Sequence, residues 1–367
     1  MNRILDAITK PLLLVHEQRA RDNIEKMAKK ARLSNVRFRP HFKTHQSAGI
    51  AEWFRDYGVT EITTSSVDMA GYFADSGWEN ITVAFSVNIR EIDKINEIAS
   101  RINLGLLVES TETVAFLDEN LTVDVDVWIK IDVGYHRTGV PWDNPKEVLK
   151  LANQISSSKI LKFKGLLTHA GHSYSARSRS ELREIYAETI RILTTLKGVL
   201  LEFGIESVEL SFGDTPCCSV VENFSALDEI RPGNFVFYDL MQLQIGSCTE
   251  EQIALAVACP VVARHASRNE VVIYGGAVHL SKESLNDAEK RRIFGRVVPW
   301  HEEGWGPIIP DAYVSSLSQE HGIVRCPEGF FKKITVGDIL FLLPVHSCLT
   351  VNLIRNMIAM NGETVNQ

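Results

Sequence analysis

Long apolar runs and closely spaced cysteine pairs are both missing from this sequence of 367 residues. No apolar stretch reaches the ~18 residues that a membrane-spanning helix needs. The apolar run at residues 11–15 is also shorter than the core of a secretory signal. The six cysteines include no Cys-x-x-Cys pair, which favours reduced thiols over a disulfide framework. We therefore expect a cytoplasmic location and no membrane partner.

The electrostatic signs of nucleic acid binding are missing too. The formal net charge is -7, and no run of the chain is rich in lysine and arginine. A composition with 45% hydrophobic and 23% charged residues is typical of an ordinary globular protein, and the length suffices for two domains. A small-molecule ligand is the better expectation than a nucleic acid.

Strand-like and helical patterns alternate over the first two thirds of the chain. Eight strand-like runs are predicted, at residues 11–16, 36–43, 61–65, 80–85, 104–109, 125–133, 161–169 and 207–213. Helical patterns occupy the gaps, at residues 17–31, 46–57, 68–76, 111–119, 145–155 and 178–203. This alternation predicts an α/β fold, a (β/α)8 barrel of the TIM type over residues 11–243. An open doubly wound sheet stays possible, but the glycine-rich turn of a dinucleotide site is missing.

The pattern changes after about residue 244. Short strand-like runs at residues 253–263, 270–274, 322–325 and 339–343 are separated by clusters of turn residues. They predict a smaller, mostly β domain over residues 244–367, together with residues 1–10. No low-complexity linker separates the two predicted domains.

One lysine stands at the end of the second predicted strand, in the segment Arg-Pro-His-Phe-Lys-Thr-His at residues 39–45. Thr44 is a suitable N-cap for the helix that follows, so Lys43 is expected at the carboxyl end of a barrel strand, where active sites are built. His41 and His45 are candidates to lower its pKa. Such a lysine can form a Schiff base with an aldehyde cofactor, and the alternative is a surface lysine in a turn.

Further candidates follow the next predicted strands. Arg137 lies on a loop bounded by glycines after the sixth strand, where its guanidinium is suited to a phenolate or carboxylate oxygen; a surface ion pair is the alternative. His169 and Tyr174 follow the seventh strand. A flat imidazole there can stack on an aromatic cofactor ring, and the alternative is a structural histidine at the barrel rim.

The loops after the eighth strand suit a phosphate group. Glycines let main-chain N–H groups approach an anion, and hydroxyls add donors. The candidates are Ser211, Gly213, Thr215, Gly233 and Asn234. Asp214 would repel a phosphate dianion, and we therefore interpret it as a helix cap that points away.

Two possible metal ligands lie near the carboxyl end. His346 and Cys348 are two positions apart, so on an extended strand they face the same side and can bind one ion together. Imidazole with thiolate favours zinc, and manganese less. Two protein ligands leave positions open, as in a catalytic site. His321, in a polar cluster of the same domain, is a candidate catalytic residue or an exposed loop residue.

These segments together carry a resemblance that spans nearly the whole chain. The matching motifs, in order, are RPHFKTH, IDVGYHRTGV, THAGHSY, SFGDTP, RPGNFVFYD, SQEHG and PVHSC. The chain resembles the fold-type III pyridoxal-phosphate enzymes of the D-threonine aldolase and D-serine dehydratase family, whose relatives include alanine racemase. The resemblance implies pyridoxal 5'-phosphate on Lys43, Arg137 near its phenolic oxygen, His169 on its ring and Tyr174 near its ring nitrogen. It also implies a homodimer.

The metal pair decides between reactions within that family. The resemblance suggests that the aldolases pair the histidine with an aspartate, whereas zinc-dependent D-serine dehydratases use histidine with cysteine, as here. Zinc on a β-hydroxyl improves that group as a leaving group. We therefore predict a lyase that removes water from D-serine or a similar D-β-hydroxy amino acid, giving a 2-oxo acid and ammonia. The alternatives are a D-threonine-type aldolase and, from another class, a non-catalytic carrier of the cofactor.

Overall fold

The computed structural model of the protein describes residues 7–301 and 303–365. The chain divides into two compact units. One, the barrel unit, comprises Glu25–Lys43 and Phe54–Gly233; the other, the β unit, comprises Met1–Ile24, Thr44–Trp53 and Asn234–Gln367. The domain bounds expected from the sequence, 11–243 and 244–367 with 1–10, stay predictions, and residues 1–6, 366 and 367 lie outside the described residues.

The barrel unit contains a parallel sheet of eight strands. They are Arg37–Phe38, Ile62–Thr64, Asn80–Ser86, Asn103–Val108, Val125–Asp132, Leu161–Thr168, Glu209–Phe212 and Glu229–Ile230. The short strand Val140–Pro141 pairs beside the fifth. From the second strand onward each strand pairs with the next along the chain, and the last pairs with the first. A parallel bridge between His41 and Thr63 joins the first strand to the second. The predicted fold class, a TIM-like sheet, is confirmed.

One strand of the predicted eight belongs elsewhere. The run at residues 11–16 forms the strand Leu12–Val15, but this strand pairs with Leu255–His265 and Met357–Ala359 in the sheet of the β unit. The eighth strand of the parallel sheet is instead Glu229–Ile230. A run of four apolar residues fits either sheet equally well, whereas a two-residue strand that begins with a glutamate has no apolar pattern to reveal it.

Helices connect the strands. The α-helices of the described chain are Glu17–Leu33, Ala48–Arg55, Val67–Asp75, Ile92–Ala99, Thr111–Asn120, Pro145–Ser157, Arg179–Glu202, Thr215–Val220, Leu240–Ile245, Ala277–Leu280, Glu328–Phe331 and Ser347–Ile354. The expected cap of the second of these is Thr44, but the helix begins later and Ser47 caps it, accepting a hydrogen bond from the Ile50 N–H at 3.1 Å. Within the described residues, no helix is both long enough and apolar enough to span a membrane.

The β unit contains an antiparallel sheet, with one parallel pair at its edge. Its strands are Leu12–Val15, Leu255–His265, Glu270–Tyr274, Gly295–Val298, Tyr313–Leu317, His321–Arg325, Ile339–Pro344 and Met357–Ala359. Leu255–His265 pairs with three of them, at Leu12–Val15, Glu270–Tyr274 and Ile339–Pro344. Two small hairpins complete the strands, Leu285–Asn286 with Arg292–Ile293 and Trp300–His301 with Gly304–Trp305. The predicted β domain at the carboxyl end of the chain is confirmed.

Gly165 provides a test of the barrel packing. Its φ is +148°, and a Cβ there would overlap the main chain of Glu209 on the neighbouring strand. Gly165→Ala should therefore lower the free energy of unfolding by about 3 kcal/mol, measured by urea denaturation. Gly198→Ala is the matched control, because a Cβ on that helical residue meets nothing within 4 Å. The control should gain up to about 1 kcal/mol. Equal unfolding midpoints for the two variants would contradict the packing argument.

Candidate active site

Lys43 lies two residues after His41, whose bridge to Thr63 connects the first strand of the parallel sheet to the second. The preceding residue, Phe42, is fully buried, with its ring 5.0 Å from that of Phe73 and 5.1 Å from that of Trp78. The Lys43 side chain is exposed, and its main-chain N–H donates to His41 Nδ1 at 3.4 Å. Burial of Phe42 fixes the backbone just before the lysine, so Lys43 lies at the carboxyl end of a strand.

His45 does not add positive charge near the lysine. Its side chain is fully buried, and burial lowers its pKa to about 3. The imidazole is therefore neutral at physiological pH. His45 therefore does not lower the pKa of Lys43 through a positive charge, because desolvation disfavours the charged ring.

The loop that carries Arg137 is shaped by one aspartate. Asp132 Oδ1 accepts the main-chain N–H groups of Gly134, Tyr135 and His136, each at 3.0 Å. Burial raises the pKa of Asp132, but these hydrogen bonds and His136 outweigh it and leave the pKa below its usual value. The Arg137 guanidinium lies 5.3 Å from the Tyr135 ring. The loop is thus held by an ionised side chain at the end of its strand.

His169 lies near three other residues predicted to bind the cofactor, Lys43, Arg137 and Tyr174. Its Nδ1 lies 2.6 Å from the Gly213 carbonyl oxygen, which can only accept, so Nδ1 carries the proton. Burial, followed by the positive charges of Lys130, Lys43 and Arg137, holds its pKa well below the usual value. The ring is therefore neutral and surrounded by cations. The Tyr174 ring lies 6.0 Å from it.

Two basic residues near His169, Lys130 and the buried Arg231, are not among the predicted site residues. Arg231 is buried; its Nη2 donates to the Thr168 carbonyl at 2.6 Å and its Nε donates to Ser211 at 2.6 Å. Burial lowers its pKa to about 10, so it stays charged. Burial, together with the charges of Arg231 and Arg137, lowers the pKa of Lys130 to about 7. Arg231 lies in a motif noted in the sequence, but nothing in an apolar strand pattern reveals the role of Lys130.

The residues predicted to hold a phosphate differ in whether their hydroxyl groups already make hydrogen bonds within the protein. The Ser211 hydroxyl donates to Glu229 at 2.7 Å while it accepts from Arg231. Thr215 is buried, and in the described part of the chain its hydroxyl has no hydrogen-bond partner. A Cβ on Gly213 would lie 3.1 Å from the Arg231 side chain, so glycine permits this close approach. Thr215, with a buried hydroxyl that has no partner among the described residues, therefore fits an anionic group best.

Asp214 is a helix cap, as interpreted from the sequence. Its Oδ1 accepts the Cys217 N–H at 2.7 Å and so begins the helix Thr215–Val220. The carboxyl is buried, and its second oxygen has no hydrogen-bond partner among the described residues. Burial raises its pKa to about 7, against the effect of the N–H donor.

In the β unit, His346 and Cys348 lie at the start of a helix, not on a strand. The strand ends at Pro344, His346 is the N-cap residue, and Cys348 lies in the first turn of Ser347–Ile354. The expectation of a shared strand face is therefore wrong. The two side chains are nevertheless close. Burial lowers the pKa of His346, but its hydrogen bond with Cys348 and the nearby negative charges raise it to about 9.

The described residues contain no group of three or more His, Cys, Asp or Glu side chains arranged to hold a metal ion. A metal at His346 and Cys348 would thus have two protein ligands. His346 Nδ1 is buried and, within the described chain, makes no hydrogen bond. An imidazole beside a thiol, with a buried ring nitrogen unused, fits a zinc ion.

The remaining predicted residues lie in other settings. The Asn234 amide nitrogen donates to Asp239 at 2.7 Å and to the Ser347 hydroxyl at 3.0 Å. Gly233 precedes it, where the chain passes from the barrel unit to the β unit. His321 is exposed at the start of His321–Arg325, and its carbonyl accepts the Ser318 N–H. Their predicted functional roles stay predictions.

The parallel sheet with its cation-lined strand ends, followed by an antiparallel β domain, defines an alanine racemase-like fold. The family described as "Alanine racemase, N-terminal domain" matches residues 15–240, and the chain belongs to this family. A second family, described as "Putative serine dehydratase domain", matches residues 254–360. The resemblance inferred from the sequence motifs is confirmed.

Similar proteins extend over nearly the whole chain. The D-threo-3-hydroxyaspartate dehydratase of Delftia sp. strain HT23 is 26% identical over 360 residues, covering 95% of this chain and 93% of that protein. The D-serine dehydratase of Dictyostelium discoideum is 25% identical over 391 residues, covering 99% and 96%. Both relatives are named as dehydratases, which are lyases.

Solved structures are also similar to this chain over nearly its whole length. The structure of the Delftia enzyme has a TM-score of 0.90 at 25% identity, covering 98% of this chain and 97% of that one. Two further structures of it are titled as mutants in which a histidine or a cysteine is replaced by alanine, and the cysteine mutant is titled as the metal-free form. D-threonine aldolase from Filomicrobium marinum has a TM-score of 0.83 at 22% identity, covering 97% and 95%, and shares the fold.

The buried carboxyl of Asp214 predicts a specific dependence of stability on pH. Its pKa is about 7 in the folded protein and near the ordinary 3.8 in the unfolded chain, so the folded state binds the proton more tightly. Wild-type stability should therefore fall as pH rises from about 4 to about 7. Asp214→Asn keeps a capping oxygen but does not titrate. Its stability relative to wild type should increase between pH 5 and 7, by up to ~1.4 kcal/mol for each pH unit.

Urea unfolding midpoints at pH 5, 6, 7 and 8 measure this difference. Asp143→Asn, on an exposed turn, is the control and should show no such trend. If the difference between Asp214→Asn and wild type is constant across this range, burial does not raise the pKa of Asp214.

Proposed function

We propose that this protein is a lyase, dependent on pyridoxal 5'-phosphate and zinc, that removes water from a D-β-hydroxy amino acid such as D-serine. The products are a 2-oxo acid and ammonia. The observation that carries the proposal is the set of positive charges from Lys43, Lys130 and Arg137 acting on the neutral ring of His169. Such a site suits a cofactor with a phosphate and a phenolate, and a substrate with a carboxylate. The dehydratase names of the relatives support the same class.

Lys43 has two tasks in the proposal. Its amine would hold the cofactor aldehyde covalently, and as a free amine it would be the base that removes the α-proton of the substrate. Exposure of the Lys43 side chain leaves it accessible to both. A single base acting from one side selects one enantiomer, so D-amino acids should react and L-amino acids should not. Pyridoxal phosphate, when bound, would accept the electron pair left at the α-carbon.

The other barrel residues hold and orient the cofactor. Arg137 is assigned to the phenolic oxygen, His169 to the face of the ring, and Tyr174 to the region of the ring nitrogen. His169 is neutral, so it packs on an aromatic ring without adding charge. Thr215 is assigned to the phosphate, because its buried hydroxyl has no other partner among the described residues. Backbone groups of Gly213 and Gly233 are assigned to the phosphate as well.

The metal is proposed to be zinc on His346 and Cys348, rather than manganese, because a thiolate is a soft ligand. With two protein ligands, coordination positions stay open for the substrate or water. The ion would supply positive charge at the β-hydroxyl and so help it to leave. The metal-free title of a cysteine mutant of the Delftia enzyme supports a cysteine ligand in that relative.

A D-threonine-type aldolase is the alternative within the same fold. A non-catalytic carrier of the cofactor is the alternative from another class, but such a protein would have no use for metal ligands at His346 and Cys348. A racemase would need a second base and would gain nothing from a metal at the β-carbon. The homodimer and the cytoplasmic location stay predictions, because they rest on the resemblance and on composition alone.

Product analysis tests the proposal. The purified protein, loaded with pyridoxal phosphate and zinc, is incubated separately with D-serine, D-threo-3-hydroxyaspartate, D-threonine and L-serine. We expect a 2-oxo acid and ammonia from a D-β-hydroxy amino acid and no product from L-serine. A chelator should abolish the reaction, and added zinc should restore it, because the β-hydroxyl is a poor leaving group without a Lewis acid.

Lys43→Ala should reduce the rate by at least ~10³-fold. Lys146→Ala, an exposed lysine on the helix Pro145–Ser157, should retain the wild-type rate. Glycine and an aldehyde in excess over any 2-oxo acid would favour the aldolase. A loaded protein that converts none of these substrates would contradict the proposed lyase.

A further inference from the structure

One buried carboxylate caps two helices of the β unit. Asp239 Oδ1 accepts the Gln242 N–H at 3.0 Å, at the start of Leu240–Ile245. Its Oδ2 accepts the Ser347 N–H at 2.9 Å and the Ser347 hydroxyl at 3.2 Å, at the start of Ser347–Ile354. Asp239 is fully buried. The position of the helix that carries Cys348 therefore depends on this carboxylate.

The same carboxylate fixes the orientation of Asn234. Asn234 Nδ2 lies 2.7 Å from Asp239 Oδ2, and this oxygen acts as an acceptor because it also accepts the Ser347 N–H. The amide must therefore present its NH₂ group to Asp239. The same nitrogen lies 3.0 Å from the Ser347 hydroxyl and 3.6 Å from Cys348 Sγ. A donor, and not the amide oxygen, thus faces the sulfur.

A second donor approaches the sulfur from another part of the chain. The Thr44 hydroxyl lies 3.3 Å from Cys348 Sγ, and Thr44 is fully buried. Either atom can donate while the cysteine is a thiol. Metal binding requires the thiolate, which only accepts, so in the metal-bound form the threonine hydroxyl is the donor. The sulfur then accepts from Thr44, and also from Asn234, which donates one N–H to Asp239 and shares the other between the Ser347 hydroxyl and the sulfur.

We propose that Thr44 and Asn234 are positioning residues that hold the Cys348 thiolate and set its strength as a metal ligand, with Asp239 orienting Asn234. The inference rests on the proposed function, which makes Cys348 a metal ligand. Two hydrogen bonds restrict the rotamer of the cysteine and withdraw electron density from its sulfur. Groups that contact a ligand in this way commonly change metal affinity 10–100-fold when they are replaced.

Metal affinity, measured without any substrate, tests the proposal. Zinc dissociation constants are obtained by competition with a chromophoric chelator for the purified protein and its variants. Thr44→Val and Asn234→Leu keep the approximate side-chain volume but remove the donor, and each should weaken zinc binding about 10–100-fold. Thr44→Ser restores a hydroxyl and should bind zinc nearly as the wild type does. Ser347→Ala removes a hydroxyl that contacts Asp239 and Asn234, and should change the affinity by less than about threefold.

The absorption spectrum of the cobalt-substituted protein is a second measurement. A general loss of packing would not shift its thiolate-to-cobalt band consistently to longer wavelength. Hydrogen bonds lower the energy of the sulfur lone pairs, so the thiolate-to-cobalt charge-transfer band should shift to longer wavelength when either donor is removed. Thr44→Ser should keep the wild-type band. Circular dichroism verifies that each variant is folded. If Thr44→Val does not fold, the comparison of Asn234→Leu with Thr44→Ser and the wild type still tests the proposal.

Cys348→Ala separates the inference from the proposed metal site. If it loses zinc while Thr44→Val and Asn234→Leu bind zinc and cobalt as the wild type does, the positioning role is wrong and the metal site stands. If Cys348→Ala retains full zinc content, the metal site itself is wrong, and the positioning role is overturned with it.

Discussion

Backbone hydrogen bonds on both sides of residues 39–42 close the parallel sheet, and the candidate active site of the barrel unit depends on that closure. The N–H groups of Arg39 and His41 donate to residues 230 and 232 at 3.0 and 2.9 Å, whereas the Phe42 N–H donates to Thr63 at 2.8 Å. Arg39 is further tied to the buried carboxylate of Glu229 at 2.7 Å. A segment bonded to both neighbours has little freedom, so the lysine that follows it is held at the strand ends. An exposed, flexible turn would leave the amine without a defined direction.

Electrostatics then determine what this site can hold. Arg231 stays charged in the interior because Glu229 and the Thr168 carbonyl compensate for the loss of water. Burial, followed by the charges of Arg231 and Arg137, makes protonation of Lys130 costly and lowers the pKa of that lysine to about 7. The accumulated positive charge is unfavourable by itself and favourable beside an anion. This balance is typical of binding sites, where a ligand completes the electrostatics of the protein.

The amino-acid sequence predicts the architecture where local pattern and chemistry agree. Apolar runs separated by helical segments locate most strands, and the order of residues alone is enough to identify side chains of distinctive chemistry at strand ends, such as Lys43 and His169. Predictions fail where distant residues decide. The sheet to which Leu12–Val15 belongs depends on partners at least 240 residues away in the sequence. Cys348 lies in a helix whose first residue, Ser347, donates its N–H to Asp239, 108 residues earlier in the sequence. Neither effect leaves a local pattern.

The most direct test of the account is the identity of the residue that binds the cofactor. The protein is incubated with pyridoxal phosphate and reduced with borohydride, and the labelled peptide is identified by mass spectrometry. We expect one label per chain, on Lys43, and no stoichiometric label in Lys43→Ala. A protein that takes up no pyridoxal phosphate, or one that is labelled at another lysine with Lys43 unmodified, would contradict it.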